Sequence, residues 1–372
     1  MIYSTDLPKQ TSIITEAYPS SDDGVPSFFR NKTPMFPKAT YQCVEYFNEI
    51  LPAIYRCTFE IENFPFAKRL MWHCVVEPGK RALLIDCGWW ELCGVKMLDE
   101  VVDRFNIPWE KIDVFITHFH EDHDGNLAYC LKQGVGNVFH GPRQVYQEKN
   151  VNSYLRATGS AQANDYEFIP LLELFHGKNI IGAPKAFKQI QKQVGKTFEI
   201  ADYSFETIFT PGHTNDHICL VDWGKGLLFA GDHITDSAPG VLKVDTETPV
   251  LVEYLDSLES LKQANLNYVL MSHEKPLIGT EAINAFLEKM IRKCDKPFRK
   301  SLDILAQQKN PISMYNFSSF AEAHRPGGYR AQTAEVRGRR LMYNYSFVDY
   351  LEHTGKAAFH EDDNGVRLYY LK

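Results

Sequence analysis

Residues 117–125 read T-H-F-H-E-D-H-D-G and directly follow the apolar run IDVFIT. A short buried strand that ends in such a loop, with the helical pattern NLAYCLKQG behind it, packs His118, His120, Asp122 and His123 into one tight turn. Imidazole and carboxylate are the ligands that a borderline cation such as Zn²⁺ prefers, and four of them within six residues point to a metal site. A catalytic centre needs further ligands from elsewhere in the chain. Three later segments offer them: T-P-G-H-T at 210–214 presents His213, A-G-D-H at 230–233 presents Asp232, and S-H at 272–273 presents His273. Each follows an apolar run and opens a loop, so all of them can converge on one edge of a sheet.

The surrounding pattern is that of a layered α/β protein. RLMWHCVVE and RALLIDCG, separated by EPGK, predict a hairpin, and WWELCGVKMLDEVVDRF has helical periodicity. Strand and helix then alternate, as layered folds require. Residues 1–50 are polar and punctuated by Pro8, Pro19, Pro26, Pro34 and Pro37, and read as an N-terminal arm. Residues 51–280 read as the catalytic domain. Within it, 141–196 interrupts the strand rhythm and is expected to form a helical lid. Residues 281–372 are mainly helical and close on AAFHEDDNGVRLYYL, a hairpin about D-D-N-G, so they outline a winged-helix-like subdomain.

With 372 residues, 44% of them hydrophobic and 23% charged, the chain can bury a core without disulfides or a structural metal, and it is neither disordered nor fibrous. The eight cysteines form no C-x-x-C and mostly lie in apolar runs, which suits reduced, buried thiols. No apolar stretch spans a bilayer and the start lacks a secretory pattern, so a cytoplasmic location without membrane contact is expected. The net charge of -7 is uneven: residues 289–340 hold twelve Lys/Arg against four acids. That stretch, which includes RGRR at 337–340, reads as a solvated face, a surface for an anionic partner such as nucleic acid, or a homodimer surface.

The ordered ligand set resembles the metallo-β-lactamase-fold superfamily of binuclear metallohydrolases, over Asp86 to His273. The resemblance implies an αββα sandwich. It also implies that His118, His120 and His213 hold one metal, that Asp122, His123 and His273 hold a second, and that Asp232 bridges them. L-L-I-D-C-G at 83–88 matches the superfamily's LIDTG strand end, with Cys87 in place of threonine. Asp86 would steady the ligand loop, since ligating imidazoles need an acceptor for their other N–H. His217 and His233 are neighbours of the ligands without a ligand counterpart, and are expected to line the pocket or support the ligands.

Two divalent ions, zinc first with iron or manganese as alternatives, would bring a water pKa down towards 7 and polarise a substrate oxygen. Asp122 would orient the nucleophile and pass its proton to the leaving group. There is no G-x-S-x-G elbow and no G-x-x-x-x-G-K-[ST] loop, so serine hydrolysis and nucleotide-driven chemistry lack support. His120 stands where the superfamily's iron-redox branch resembles H-x-E-x-D-H, which favours hydrolysis. The expected substrate is a small carboxylic ester, thioester or lactone, its apolar acyl pocket supplied by Tyr146, Tyr154, Tyr166, Phe168, Leu171, Leu172 and Phe175 of the lid. An endoribonuclease or phosphodiesterase using the basic region is the alternative, and a non-catalytic binding module a further one.

Overall fold

In a computed structural model of the chain, residues 43–61, 69–89, 95–142, 148–169, 187–189, 197–236 and 240–372 are described. The first sheet orders its strands as in the sequence: β1 (Cys43–Leu51), β2 (Ile54–Ile61), β3 (Arg69–Glu77), β4 (Arg81–Ile85), β5 (Ile112–Ile116), β6 (Val138–His140) and β7 (Phe187–Gln189). The pairs β1 to β4 are antiparallel and those from β4 to β7 parallel. The second sheet is β13 (Leu277–Ile278), β12 (Tyr268–Met271), β11 (Leu227–Gly231), β10 (Ile218–Asp222), β9 (Tyr203–Phe209) and β8 (Thr197–Ile200), with only β11 and β12 parallel among its neighbours.

The two sheets pack face to face. Ile54, Val75, Leu83, Ile85, Phe115 and Phe139 of the first meet Phe205, Ile218, Leu220, Phe229 and Leu270 of the second in one buried cluster. Both faces of β4 and β10 are buried, which is why they read as continuous apolar runs rather than alternating ones. Helices α1 (Lys96–Phe105), α2 (Glu121–Asp124) and α3 (Leu127–Gln133) follow the parallel strands, and α1 and α3 cover the outer face of the first sheet through Leu98, Val101, Leu127 and Cys130. Beyond α4 (Glu148–Thr158), helices α5 (Val250–Lys262) and α6 (Thr280–Lys293) cover the second through Leu251, Leu258, Ile283 and Leu287. The order is helix, sheet, sheet, helix: the αββα sandwich expected.

The remaining elements are α7 (Asp295–Ala306), β14 (Ile312–Ser313), α8 (Met314–Ala321), α9 (Ala334–His353), β15 (Ala357–Glu361) and β16 (Arg367–Leu371), the strands forming a small sheet in the order β14-β16-β15. The D-D-N-G turn forms as its composition requires, with Asp362 Oδ1 accepting from the backbone N–H groups of Asn364 and Val366 at 2.9 Å.

Four sequence expectations shift. The sheet begins at Cys43, inside the stretch read as an arm, because β1 pairs with β2 along nearly its whole length. Helix α6 is a layer of the αββα sandwich and not part of the tail, because its apolar stripe lies on the second sheet. Residues 187–189, read as helical, add a parallel strand beside β6. Of the lid aromatics, Tyr154 and Phe168 do not line an acyl pocket. They are buried with Leu305, Met314, Phe317, Leu341 and Tyr345 in a core shared with α7, α8 and α9, while Tyr166 is exposed and its hydroxyl donates to the Ala161 carbonyl. Tyr146, Leu171, Leu172 and Phe175 lie outside the described residues. No described helix is long and apolar enough to cross a membrane.

Candidate metal centre

Strand ends from both sheets meet at one edge of the sandwich. Asp86 follows β4, His118 follows β5, His213 lies in the loop between β9 and β10, and Asp232 and His273 follow β11 and β12. Backbone hydrogen bonds weld that edge: Ile218 N–H to Thr117 O at 2.9 Å, and Met71 N–H to Ser272 O and Cys87 N–H to His123 O at 2.8 Å. Gly125, which closes the ligand turn, has no alternative, because a Cβ there would stand 2.2 Å from Glu121 O and 3.0 Å from Gly88 O. Gly231 is constrained twice: its φ is +50°, and a Cβ would sit 2.7 Å from His217 Nε2.

Asp86 has a φ of +63°, unusual for a residue with a side chain and tolerated best by Asp and Asn. The turn aims its buried carboxylate at the ligand loop. Oδ1 accepts Thr117 N–H at 2.8 Å, and Oδ2 takes the Thr117 hydroxyl at 2.9 Å and His123 Nδ1–H at 2.7 Å. With its hydroxyl proton committed to Asp86, Thr117 Oγ1 accepts His118 Nδ1–H at 3.1 Å. This network engages Nδ1 of both imidazoles and turns their Nε2 atoms into the site. His273 does likewise, its Nδ1–H donating to Arg69 O at 2.8 Å.

Two groups of donor atoms result. In the first, His118 Nε2 lies 2.9 Å and His213 Nε2 3.0 Å from His120 Nδ1. In the second, His273 Nε2 lies 3.2 Å from Asp122 Oδ2, and His123 Nε2 lies 3.6 Å from that same oxygen. Asp232 faces both groups, with Oδ1 3.5 Å from His123 Nε2, and Oδ2 3.1 Å from His273 Nε2 and 3.5 Å from His213 Nε2. All seven ligand candidates are thus brought together, three in one group and four in the other.

The residues fit divalent cations. Among the described residues His123 Nε2 and Asp232 Oδ1 are buried with no hydrogen-bond partner, which protein interiors rarely tolerate. Burial and the other imidazoles hold His118 well below the usual histidine range and His120 at about 3, so both present neutral nitrogens. In the second group burial also disfavours charge, yet Asp122 and Asp232 outweigh it and raise His123 and His273 well above the usual range. That half of the site calls for positive charge, which cations would supply in place of protons.

His217 and His233 stand behind the ligands. His217 Nε2 accepts Asp232 N–H at 3.2 Å and its Nδ1–H donates to Thr210 Oγ1 at 2.9 Å, so it fixes the backbone of Asp232. His233 turns away, donating from Nε2 to Ser257 Oγ on α5 at 2.7 Å, and burial holds its pKa at about 3. Thr117, Thr210 and Ser257 are the supporting residues that sequence reading passed over. Thr117 and Thr210 lie within the quoted ligand segments, but nothing local marks their partners.

The family model of the metallo-β-lactamase superfamily matches residues 74–273, more than half of the chain. The chain belongs to the metallo-β-lactamase superfamily. It is similar to a β-lactamase domain protein from Burkholderia ambifaria, at 17% identity and a TM-score of 0.65 over 88% of this chain and 93% of that one. A metallo-β-lactamase family protein from Thermus thermophilus is similar at 18% identity and a TM-score of 0.58, over 87% of this chain and all of that one. Both likenesses bear on the fold. The atrochrysone carboxyl ACP thioesterase of Passalora fulva is 21% identical over 199 residues, 52% of this chain. The match spans 46%, about half, of that relative's own length.

Proposed function

We propose that this superfamily hydrolase holds two divalent ions, zinc first, and cleaves a small carboxylic ester, thioester or lactone. The observation that carries the reading is the convergence of seven ligand side chains in two groups with Asp232 facing both. Ions bound there would supply Lewis acidity and a water nucleophile at neutral pH.

The chain's own residues supply the rest. Asp86, Thr117 and the Arg69 carbonyl hold His123, His118 and His273 in the tautomers that ligate. Asp122 is half-buried with Oδ2 3.2 Å from His273 Nε2, and its carboxylate would orient water and carry a proton to the departing alkoxide or thiolate. The name of the Passalora fulva relative supports a thioester within the acyl class.

One arginine of the RGRR motif behind the nucleic-acid reading is committed within the protein. Arg337 of RGRR is buried and bound to Asp165 through two parallel hydrogen bonds of 2.9 Å, with Glu167 accepting a third at 2.6 Å, so it does not offer itself to phosphate. We read the α7–β14–α8–α9–β15–β16 order as winged-helix-like, and as a scaffold for the catalytic edge.

The test is a turnover panel of an acyl thioester, a lactone, a phosphodiester and single-stranded RNA, run with zinc-loaded protein, chelated protein and Asp232→Ala. Acyl turnover that is lost on chelation and in Asp232→Ala, together with about two ions per chain falling to one or fewer in the variant, is expected. RNA cleavage without acyl turnover would overturn the substrate class, and a fully active Asp232→Ala would overturn the site.

A further inference from the structure

Lys243 is 1% exposed, a rare state for a charged side chain, and it lies outside the ligand set. Its Nζ donates to Thr248 O at 2.6 Å, pairs with Asp349 Oδ1 at 3.0 Å and lies over the Tyr345 ring, 5.3 Å from the centroid. Its backbone N–H reaches Ser346 Oγ at 2.9 Å and Met342 O at 3.2 Å. One residue thereby grips positions 342, 345, 346 and 349 of α9, a stripe along one helix face.

Two residues on, Asp245 turns this anchor towards the site. Its Oδ1 accepts Glu247 N–H at 2.9 Å and Thr248 N–H at 2.7 Å, and its Oδ2 accepts Thr248 Oγ1–H and Asn215 Nδ2–H, both at 2.9 Å. Asn215 is two residues after His213. From the other end of the segment, Gly240 backs His213 so closely that a Cβ would sit 3.0 Å from its Nδ1. Arg367 of β16 secures the middle, donating to Thr246 O at 3.0 Å.

A buried ion pair is often no more stabilising than an apolar pair of similar size, so stability alone does not account for this one. We infer that Lys243 and Asp349 are a positioning pair: they hold the 240–249 segment against α9, and that segment sets His213, so the C-terminal helices complete the first metal group. The inference rests on the metal-site reading above and adds to it a dependence on residues far from the ligands.

The experiment titrates purified full-length protein with zinc against a chromophoric chelator and with cobalt(II), whose absorption reports ligand geometry. The variants are Asn215→Ala, Lys243→Met, and the apolar pair Lys243→Met with Asp349→Leu. One zinc equivalent is expected to weaken about tenfold or more in each variant while the other keeps its affinity, as when a ligand's supporting partner is lost. The apolar pair should melt near the wild-type temperature yet retain the affinity defect, and Asn215→Ala cuts only the last link should a Lys243 variant fail to fold. Two wild-type equivalents that survive unchanged in Asn215→Ala and the apolar pair would overturn the inference. A wild type that binds no zinc would instead overturn the metal-site reading beneath it.

Discussion

Asp86 shows how much of the site depends on side chains that touch no metal. Its carboxylate accepts from Thr117 twice over and from His123 Nδ1, all in a buried setting at a left-handed backbone position. Asp86→Asn keeps the turn, since Asn also tolerates that φ, but removes the anion that His123 leans on. It should weaken metal affinity roughly 10- to 100-fold with little change in fold, measured by chelator competition and far-ultraviolet circular dichroism. Unchanged affinity would mean that Asp86 serves the turn alone. The candidate ligands that the fold brings together were legible because four crowd one loop and the others follow apolar runs. Thr117, Asn215 and Asp245 were not, because a threonine or asparagine becomes a support only through partners that the fold brings near.

Among the elements, α9 departs furthest from its sequence appearance. RGRR reads as a basic patch, but a run of charge carries no information about partners 172 positions away, and Asp165 claims Arg337. Arg339 pairs with Glu335 on its own helix at 3.1 Å, so much of the motif's charge is matched within the protein. Arg337→Ala would leave the nearly buried Asp165 without its counterion and should cost about 3–5 kcal/mol, seen as a lower urea midpoint. A midpoint unchanged from wild type would show that the pair contributes nothing. Tyr154 of α4 offers the opposite test. Its hydroxyl is buried without a hydrogen-bond partner among the described residues, so Tyr154→Phe should leave the melting temperature the same or raise it, because an unsatisfied buried group costs about 1–3 kcal/mol. Strands and helices with strong periodicity were read correctly. β7 was not, since three residues are too few to show a period, and Tyr154 and Phe168 were misassigned because the same residues suit a pocket and a core.

At the scale of the molecule, the αββα sandwich and the C-terminal helices share their interior. Phe347 of α9 belongs to the core that α5 and α6 form on the second sheet, and Tyr154 and Phe168 of the inserted segment belong to the core of α7 to α9. The domain limits drawn from sequence therefore mark changes of pattern and not separable units. Calorimetry of the metal-free protein should give one transition with matching calorimetric and van't Hoff enthalpies, whereas two resolved transitions would contradict the shared core. Under the proposed zinc reading, the zinc-loaded protein should melt several degrees above the metal-free one, because the unfolded chain has no such site. The central claim is the two-group metal centre, and diffraction from zinc-loaded crystals on either side of the zinc absorption edge tests it most directly. The account predicts two anomalous peaks per chain, one against His118, His120 and His213, the other against Asp122, His123 and His273, with Asp232 touching both; peaks elsewhere, or none at this edge of the sandwich, would contradict it.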